Sequence, residues 1–112
     1  MAILKFDETD YEVVKPGLRR KMIVNENLMT VIVEFTDGPW DEPEPFHSHP
    51  HEQTSYIAGG EIYLFIKGEE KVRLKEGDMF STPPDIPHTI QLLTERARLV
   101  DSFYPLREDF LK

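Results

Sequence analysis

The chain has 112 residues, which is enough for one small domain with a single hydrophobic core and too few for a second. Its 21 acidic and 13 basic residues give a formal net charge of -8, so the chain offers no basic surface to a nucleic-acid backbone. Cysteine is absent, which excludes disulfides and thiolate metal sites, and no apolar run approaches the roughly 18 residues that span a bilayer. Since its start shows no signal-peptide pattern, the sequence predicts one cytoplasmic domain, residues 1–112, that binds neither nucleic acid nor membrane.

Short segments rich in β-branched and aromatic residues alternate with turn signals along the chain. In chain order they read LRRKMIV, LMTVIVEF, QTSYI, EIYLFI, KVRLK, HTIQLL and ARLVDSFY. The intervening pieces include TDGP, AGG, EGD and PPDIP, whose glycine, proline and aspartate residues favour turns. This alternation predicts an all-β fold, either a sandwich or a closed barrel, and only the tail PLREDFLK is compatible with a helical turn.

Three of the four histidines lie within five residues, in the stretch FHSHPHEQ. In an extended strand His47 and His49 share a face, so both imidazoles can bind one metal ion. Gln53 has the same parity and can add a carbonyl oxygen to the site. The alternative is a solvated loop, rich in histidine and proline, that binds nothing.

The other two histidines are less constrained by pattern. His51 directly follows Pro50, so it either lines the pocket, supports a ligand or is exposed. His88 follows the segment PPDIP, whose prolines fix φ and can hold a metal ligand in place. The alternative for His88 is a structural role in this proline-rich turn.

The last predicted strand contains an aspartate in an apolar context. Asp101 shares its face with Leu99 and Phe103. If this face is inward, the carboxylate must pair with a cation or act as an acid or base; if it is outward, Asp101 is an exposed residue on an edge strand. Arg107 is either a surface cation or folds back over the barrel mouth, where its guanidinium can bind a substrate carboxylate.

Two stretches resemble the paired sequence motifs of the cupin family. The first reads His47-x-His49, three residues, Gln53, six residues and Gly60, and the second reads glycine, five residues, Pro-x-Asp, two residues and His88. This resemblance implies the cupin double-stranded β-helix, a small β-barrel or jelly roll. It also implies that a divalent transition metal is bound by His47, His49, Gln53 and His88.

The sequence departs from the cupin motifs at three positions. Gln53 stands where most cupins have glutamate, which leaves a more positive metal centre. Asp85 replaces the usual glycine of the second motif and Leu92 replaces the asparagine that often closes it, and we interpret both as loop variation. Three imidazoles and an amide oxygen suit nickel, manganese, iron, cobalt or zinc, with up to about two further positions for water or substrate.

The glutamine ligand and the ending DSFYPLREDFL resemble the KdgF-like cupins of pectin degradation, which linearise unsaturated uronates. The resemblance implies that Asp101 transfers a proton, Phe103 shapes the pocket and Arg107 holds the substrate carboxylate. The implied reaction opens a 4,5-unsaturated uronate monosaccharide from pectin or alginate breakdown to a linear 5-keto-4-deoxyuronate. A sugar acid is therefore the expected small-molecule partner.

Two other functions stay open. A metal-dependent dioxygenase would use the same kind of ion to activate oxygen, although its common ligand sets, with a carboxylate or three or four histidines, match the glutamine less well. A non-catalytic sugar- or metal-binding module would have to act through a partner, because the chain has no helix-turn-helix pattern.

Small cupins commonly extend one sheet with a strand from a second copy, and this resemblance predicts a homodimer. The candidate for the exchange is the amino-terminal segment ILKFDETDYEVV, whose apolar residues have little obvious use in a single barrel. The alternative is that this segment pairs with an edge of its own barrel.

Overall fold

The computed structural model describes residues 1–111; residue 112, the end of the predicted domain and of the predicted helical tail, lies outside the described residues. None of the helices in the described range is long and apolar enough to cross a membrane. The strands are β1 (Glu12–Lys15), β2 (Leu18–Val24), β3 (Met29–Phe35), β4 (Glu52–Gly59), β5 (Glu61–Ile66), β6 (Val72–Lys75), β7 (Met79–Thr82), β8 (His88–Leu92) and β9 (Ala97–Tyr104). Two short 3-10 helices, Phe6–Glu8 and Glu108–Leu111, lie near the ends of the chain.

The strands form two antiparallel sheets. The larger sheet has the order β1-β2-β3-β9-β4-β7, and the smaller sheet has the order β6-β5-β8. The last strand, β9, pairs with both β3 and β4, so it joins the two halves of the larger sheet. This architecture confirms the predicted all-β fold of the cupin double-stranded β-helix, a small jelly roll.

The apolar interior consists of two clusters to which β9 contributes from one face. Leu99 packs in the first cluster with Ile57 and Ile62, and Phe103 packs in the second with residues of β3. Asp101 lies between these two on the same face, because alternate residues of a strand point the same way. The chain therefore places a carboxyl group between two apolar clusters of the interior.

The predicted strands agree with the structure where their patterns are long. LRRKMIV, EIYLFI and ARLVDSFY coincide with β2, β5 and β9. The pattern does not predict β1 or β7, which have only four residues each. All four residues of β1 are exposed. The residues of β7 alternate in exposure, but its sequence, MFST, does not alternate apolar and polar residues, so neither strand has a recognisable pattern.

The amino-terminal segment has its partners in its own chain. In register, Glu12 and Val13 pair with residues of β2, so β1 forms the edge of the larger sheet. Upstream of β1, Phe6 contacts the buried Lys21 of β2. The Nζ of Lys21 donates to the Phe6 carbonyl at 2.5 Å and lies 3.7 Å from the centroid of the Phe6 ring. The amino-terminal segment therefore pairs with the edge of its own barrel, which is the alternative to strand exchange with a second copy. The homodimer stays a prediction.

Three positions of the cupin motifs, Gly60, Gly77 and Asp85, have left-handed backbone conformations. Gly60 turns the chain between β4 and β5 at φ 79°, where a Cβ would collide with the carbonyl of Arg96. Asp85 replaces the motif glycine at φ 63°, a conformation that aspartate tolerates better than most residues. The N–H of Asp85 donates to the carbonyl of His49 at 2.8 Å, so this turn fastens the histidine loop.

Candidate metal centre

A backbone bridge joins the two histidine motifs. The N–H of His47 donates to the carbonyl of His88 at 3.1 Å, and the N–H of His88 donates to the carbonyl of His47 at 2.9 Å. One ring nitrogen from each of His47, His49 and His88 lies within 4.8 Å of the other two. The three histidines that the sequence predicts as ligands thus form one cluster. The expectation that His47 and His49 lie on a strand is wrong, because β4 begins only at Glu52.

Backbone carbonyls determine which ring nitrogens are free to bind a metal. Nδ1 of His49 is 3.0 Å from the carbonyl of His51, and Nδ1 of His88 is 2.9 Å from the carbonyl of Ile86. A carbonyl only accepts hydrogen bonds, so both Nδ1 atoms carry the proton and each Nε2 has a free lone pair. Nε2 of His88 is buried and has no hydrogen-bond partner within residues 1–111. Such an orphaned buried acceptor fits a metal ligand.

Gln53 supplies a second acceptor to this cluster. Its Oε1 lies 3.1 Å from Nε2 of His49, and its Nε2 donates to Oγ of Ser55 at 3.0 Å. Because Nδ1 of His49 holds the proton, two lone-pair atoms face each other at 3.1 Å. A cation bound by both would stabilise this approach, so the donor set of three imidazoles and one amide oxygen fits a divalent metal ion.

A hydrogen-bond chain connects Gln53 to Asp101. Ser55 accepts from the Gln53 amide and donates its own proton to Oδ1 of Asp101 at 2.6 Å. A glutamate at position 53 would have no N–H to give, so it would compete with Asp101 for the single proton of Ser55. The glutamine that departs from the usual cupin motif therefore directs the Ser55 hydroxyl to Asp101.

Asp101 faces inward and lines a cavity, which decides between the two orientations left open by its pattern. The side chain of Asp101 contacts the cavity, and the surrounding protein shields its carboxyl group from bulk solvent. Burial raises the pKa of Asp101 from 3.8 to about 6, while the Ser55 hydrogen bond and the charge of Arg107 lower it by less. A carboxyl group with this pKa can both accept and donate a proton near neutral pH.

The cavity has a volume of about 370 Å³, within the range of small-molecule sites. Its walls are largely apolar and combine residues of both sheets with the carboxyl-terminal segment. The candidate metal ligands that line it are His47, Gln53 and His88. The charged residues in its lining are Lys15, Arg20, Glu44, Asp101 and Arg107.

Arg107 and Phe103 both reach this cavity, as their predicted roles require. Phe103 is buried and meets the His49 ring edge-on at 5.8 Å between centroids. The Arg107 side chain is only 15% exposed and its guanidinium carbon lies 5.2 Å from the Phe103 centroid. Its Nε and Nη2 donate to the two oxygens of Asp109 at 3.1 and 2.8 Å, which lowers the pKa of Asp109. Arg107 thus folds back over the cavity, and in this structure a carboxylate of its own chain occupies the fork.

Arg20 also lines the cavity, and sequence reasoning did not single it out. The signal was available, because Arg20 shares one face of the strand with the apolar residues Leu18 and Met22. The structure places Arg20 on the inner face, with its side chain 12% exposed.

The remaining histidines differ in exposure and environment. His47 is exposed at the cavity, and partial burial, followed by the neighbouring His88 and His49, lowers its pKa. Burial, followed by Arg107 and His88, likewise lowers the pKa of His49. Both rings therefore stay neutral, and able to bind a metal, below the ordinary pKa of histidine. His51 contributes its carbonyl to His49 while its own half-buried ring lies outside the cluster.

Known proteins are similar to this chain in sequence and in fold. The family described as "Cupin domain" matches residues 32–103. The pectin degradation protein KdgF of Dickeya dadantii is 37% identical over 107 residues, which cover 94% of each chain. The chain belongs to the cupin family and, within it, to the KdgF-like proteins.

A solved structure extends this relationship to three dimensions. KdgF from Halomonas sp. has a TM-score of 0.86 at 32% identity, with 97% of this chain and 99% of that chain covered. Another relative is a 3-hydroxyanthranilate 3,4-dioxygenase of Burkholderia lata, 38% identical over 86 residues. That match covers 64% of this chain and 49% of the dioxygenase, so KdgF-like proteins are matched over nearly their whole length and this dioxygenase over about half.

Proposed function

We propose that the protein is a metal-dependent enzyme that opens the ring of 4,5-unsaturated uronate monosaccharides to linear 5-keto-4-deoxyuronates. The observation that carries this proposal is one cavity that combines three of the four candidate metal ligands, the Asp101 carboxyl and the Arg107 guanidinium. The relationship to a pectin degradation protein over nearly the whole chain supports the same substrate class. A uronate carries one carboxylate and several hydroxyls, which match a cationic group and a metal site in one pocket.

The metal would be held by three imidazoles and one amide oxygen, from His47, His49, His88 and Gln53. When bound, a divalent ion would polarise substrate oxygens and stabilise the negative charge that develops during ring opening. Nickel, manganese, iron, cobalt and zinc all accept this donor set. The Ser55 hydrogen bond holds the Gln53 amide so that its oxygen, and not its nitrogen, faces His49.

Asp101 carries out the proton transfers. As a carboxylate it removes the proton of the anomeric hydroxyl, the bond from the anomeric carbon to the ring oxygen breaks, and an aldehyde forms. The electron pair of the broken bond leaves an enolate at C5, and Asp101, now protonated, returns the proton to C4, which gives the ketone. Atoms and charge balance without a co-reactant, and one carboxyl group with a pKa of about 6 serves both steps.

Arg107 and Phe103 orient the substrate. The guanidinium of Arg107 binds the uronate carboxylate in place of Asp109, whose side chain is 57% exposed and returns readily to solvent. Phe103 closes the pocket beside His49, which keeps the sugar ring close to the ligands and excludes water.

The test is ring opening of 4,5-unsaturated galacturonate, followed as the loss of the absorbance of its conjugated double bond and compared with the spontaneous rate. We expect wild-type protein to accelerate the reaction and Asp101→Asn to lose about 10² to 10⁴-fold of that acceleration at unchanged metal content. Asp41→Asn, which changes an exposed loop aspartate, is the matched control. Acceleration by Asp101→Asn that equals the wild-type acceleration would contradict the role of Asp101. No acceleration by the wild type would favour a non-catalytic binding module.

A second candidate is a metal-dependent dioxygenase, which the similarity to 3-hydroxyanthranilate 3,4-dioxygenase favours. Within residues 1–111 no carboxylate joins the histidine cluster as a ligand, and the amide of Gln53 is neutral, so the site lacks the carboxylate ligand that is common in dioxygenases. Oxygen uptake by the iron-loaded protein with 3-hydroxyanthranilate, without opening of the uronate, would replace the proposed function by this one.

A further inference from the structure

The ring of Phe110 lies against two guanidinium groups at the mouth of the cavity. The guanidinium carbon of Arg20 is 4.2 Å from the Phe110 centroid, and that of Arg107 is 4.3 Å from it. Because both distances end at the same ring centroid, their sum is the upper limit of the separation between the two guanidinium carbons. A carboxylate that accepts one hydrogen bond of about 2.8 Å from each of two guanidinium groups can bridge separations up to roughly this limit.

The charge of the cavity suits an anion although the whole chain is acidic. Three cationic residues, Lys15, Arg20 and Arg107, line it together with two carboxylates, Glu44 and Asp101. Lys15 and Glu44 neutralise each other at 2.9 Å. Among the charged residues that line the cavity, the two arginines thus outnumber the one remaining carboxylate, Asp101.

Each arginine is held by a carboxylate that a ligand can replace. Arg20 donates from Nε and Nη2 to one oxygen of Glu12, at 3.1 and 2.6 Å, and Glu12 is 55% exposed. Arg107 donates from Nε and Nη2 to the two oxygens of Asp109, which is 57% exposed. Within residues 1–111, Nη1 of neither arginine donates a hydrogen bond, so each guanidinium keeps a donor for a further acceptor.

We propose that Arg20 is a second carboxylate-binding residue of this cavity, which shares the carboxylate of a sugar acid with Arg107. Phe110 determines the spacing of the two guanidinium groups and, through the weak contact of its carbonyl with Nη2 of Arg20 at 3.4 Å, ties the carboxyl-terminal helix to β2. The inference rests on the proposed function for the identity of the substrate as a uronate. The two arginines would discriminate between a sugar acid and a neutral sugar of the same shape, because the neutral sugar leaves both guanidinium groups without a ligand.

The experiment measures binding of D-galacturonate, which lacks the reactive double bond, and of neutral D-galactose to the metal-loaded protein by titration calorimetry. We expect Arg20→Gln to weaken galacturonate binding by about tenfold or more and to leave galactose binding unchanged. Arg73→Gln is the matched control, since Arg73 forms an equivalent pair with Glu61 at 2.6 Å on the smaller sheet, outside the cavity. Galacturonate binding by Arg20→Gln that equals the wild-type value would overturn the proposal.

Glu12→Gln separates ligand binding from a structural role, including the case in which Arg20→Gln does not fold. If Arg20 binds the ligand, removal of its internal competitor strengthens galacturonate binding, and in turnover Arg20→Lys raises KM more than it lowers kcat. If the Arg20–Glu12 pair only supports the fold, Glu12→Gln weakens binding and stability together, which overturns the proposal. If the wild type binds galacturonate through Arg20 but does not open the unsaturated uronate, only the proposed function is wrong. If the wild type does not bind galacturonate, the inference about Arg20 is wrong.

Discussion

The replacement of Asp101 by asparagine should stabilise the protein at neutral pH while it removes activity. The folded protein raises the pKa of Asp101 from 3.8 to about 6, so it binds this proton more tightly than the unfolded chain does. The stability from this group is complete below the unfolded value of 3.8 and is lost as the pH rises through 6. A shift of about two pKa units corresponds to a loss of up to about 3 kcal/mol above pH 7.

Asparagine resembles the protonated form of Asp101 and does not suffer this loss. Its Oδ1 can still accept the hydrogen bond from Ser55, so the packing of the interior is retained. We expect equal stability of wild type and Asp101→Asn near pH 4 and a difference in favour of the variant that grows to about 1 to 3 kcal/mol by pH 8. A bound cation would lower the pKa of Asp101, so the metal-free protein should show the larger difference.

The assay is urea unfolding of the chelated and the metal-loaded protein at several pH values between 4 and 8. Asp41→Asn controls for the loss of one negative charge from an acidic chain, and its difference from wild type should change little with pH. A difference between wild type and Asp101→Asn that is independent of pH, or a variant that is less stable at pH 8, would refute the assignment of Asp101 as a buried carboxyl with a raised pKa.

Four further predictions follow from the same contacts. His88→Ala should lose nearly all bound metal in elemental analysis while Gln53→Ala keeps part of it, and full metal in His88→Ala would exclude the site. Ser55→Ala removes a hydrogen bond that lowers the pKa of Asp101, so the acid limb of the pH–rate profile should move to higher pH and Ser55→Thr should restore it; an unchanged profile would contradict the hydrogen-bond chain. Gly60→Ala should destabilise the fold by about 1 to 3 kcal/mol in urea unfolding, and a neutral effect would mean that the turn relaxes. Light scattering should show a particle of twice 13.1 kDa, whereas a monomer at micromolar concentration would exclude the homodimer.

The sequence alone predicts those strands and site residues whose pattern lies within a short segment of the chain. Strands such as EIYLFI are delimited by neighbouring glycines and charged turns, so their bounds follow from composition over a few residues. The ligand candidates His47, His49 and Gln53 are likewise close in sequence, and the resemblance to the paired cupin motifs implies that the distant His88 joins them, as the structure shows for the three histidines. The short strands β1 and β7 escape such a prediction, because pairing with neighbours stabilises them more than any pattern of their own.

Tertiary structure decided which of these side chains meet. The alternation of β9 defines two faces for Asp101 without indicating which one is inward, because both faces contain apolar residues; that choice depends on packing against the smaller sheet. The contact of Ser55 with Asp101 joins residues 46 positions apart, and the contact of Arg20 with Phe110 joins residues 90 positions apart. Such contacts arise from strand order and register, which result from the burial of the whole chain rather than from any segment, and they determine where the cavity receives its charge.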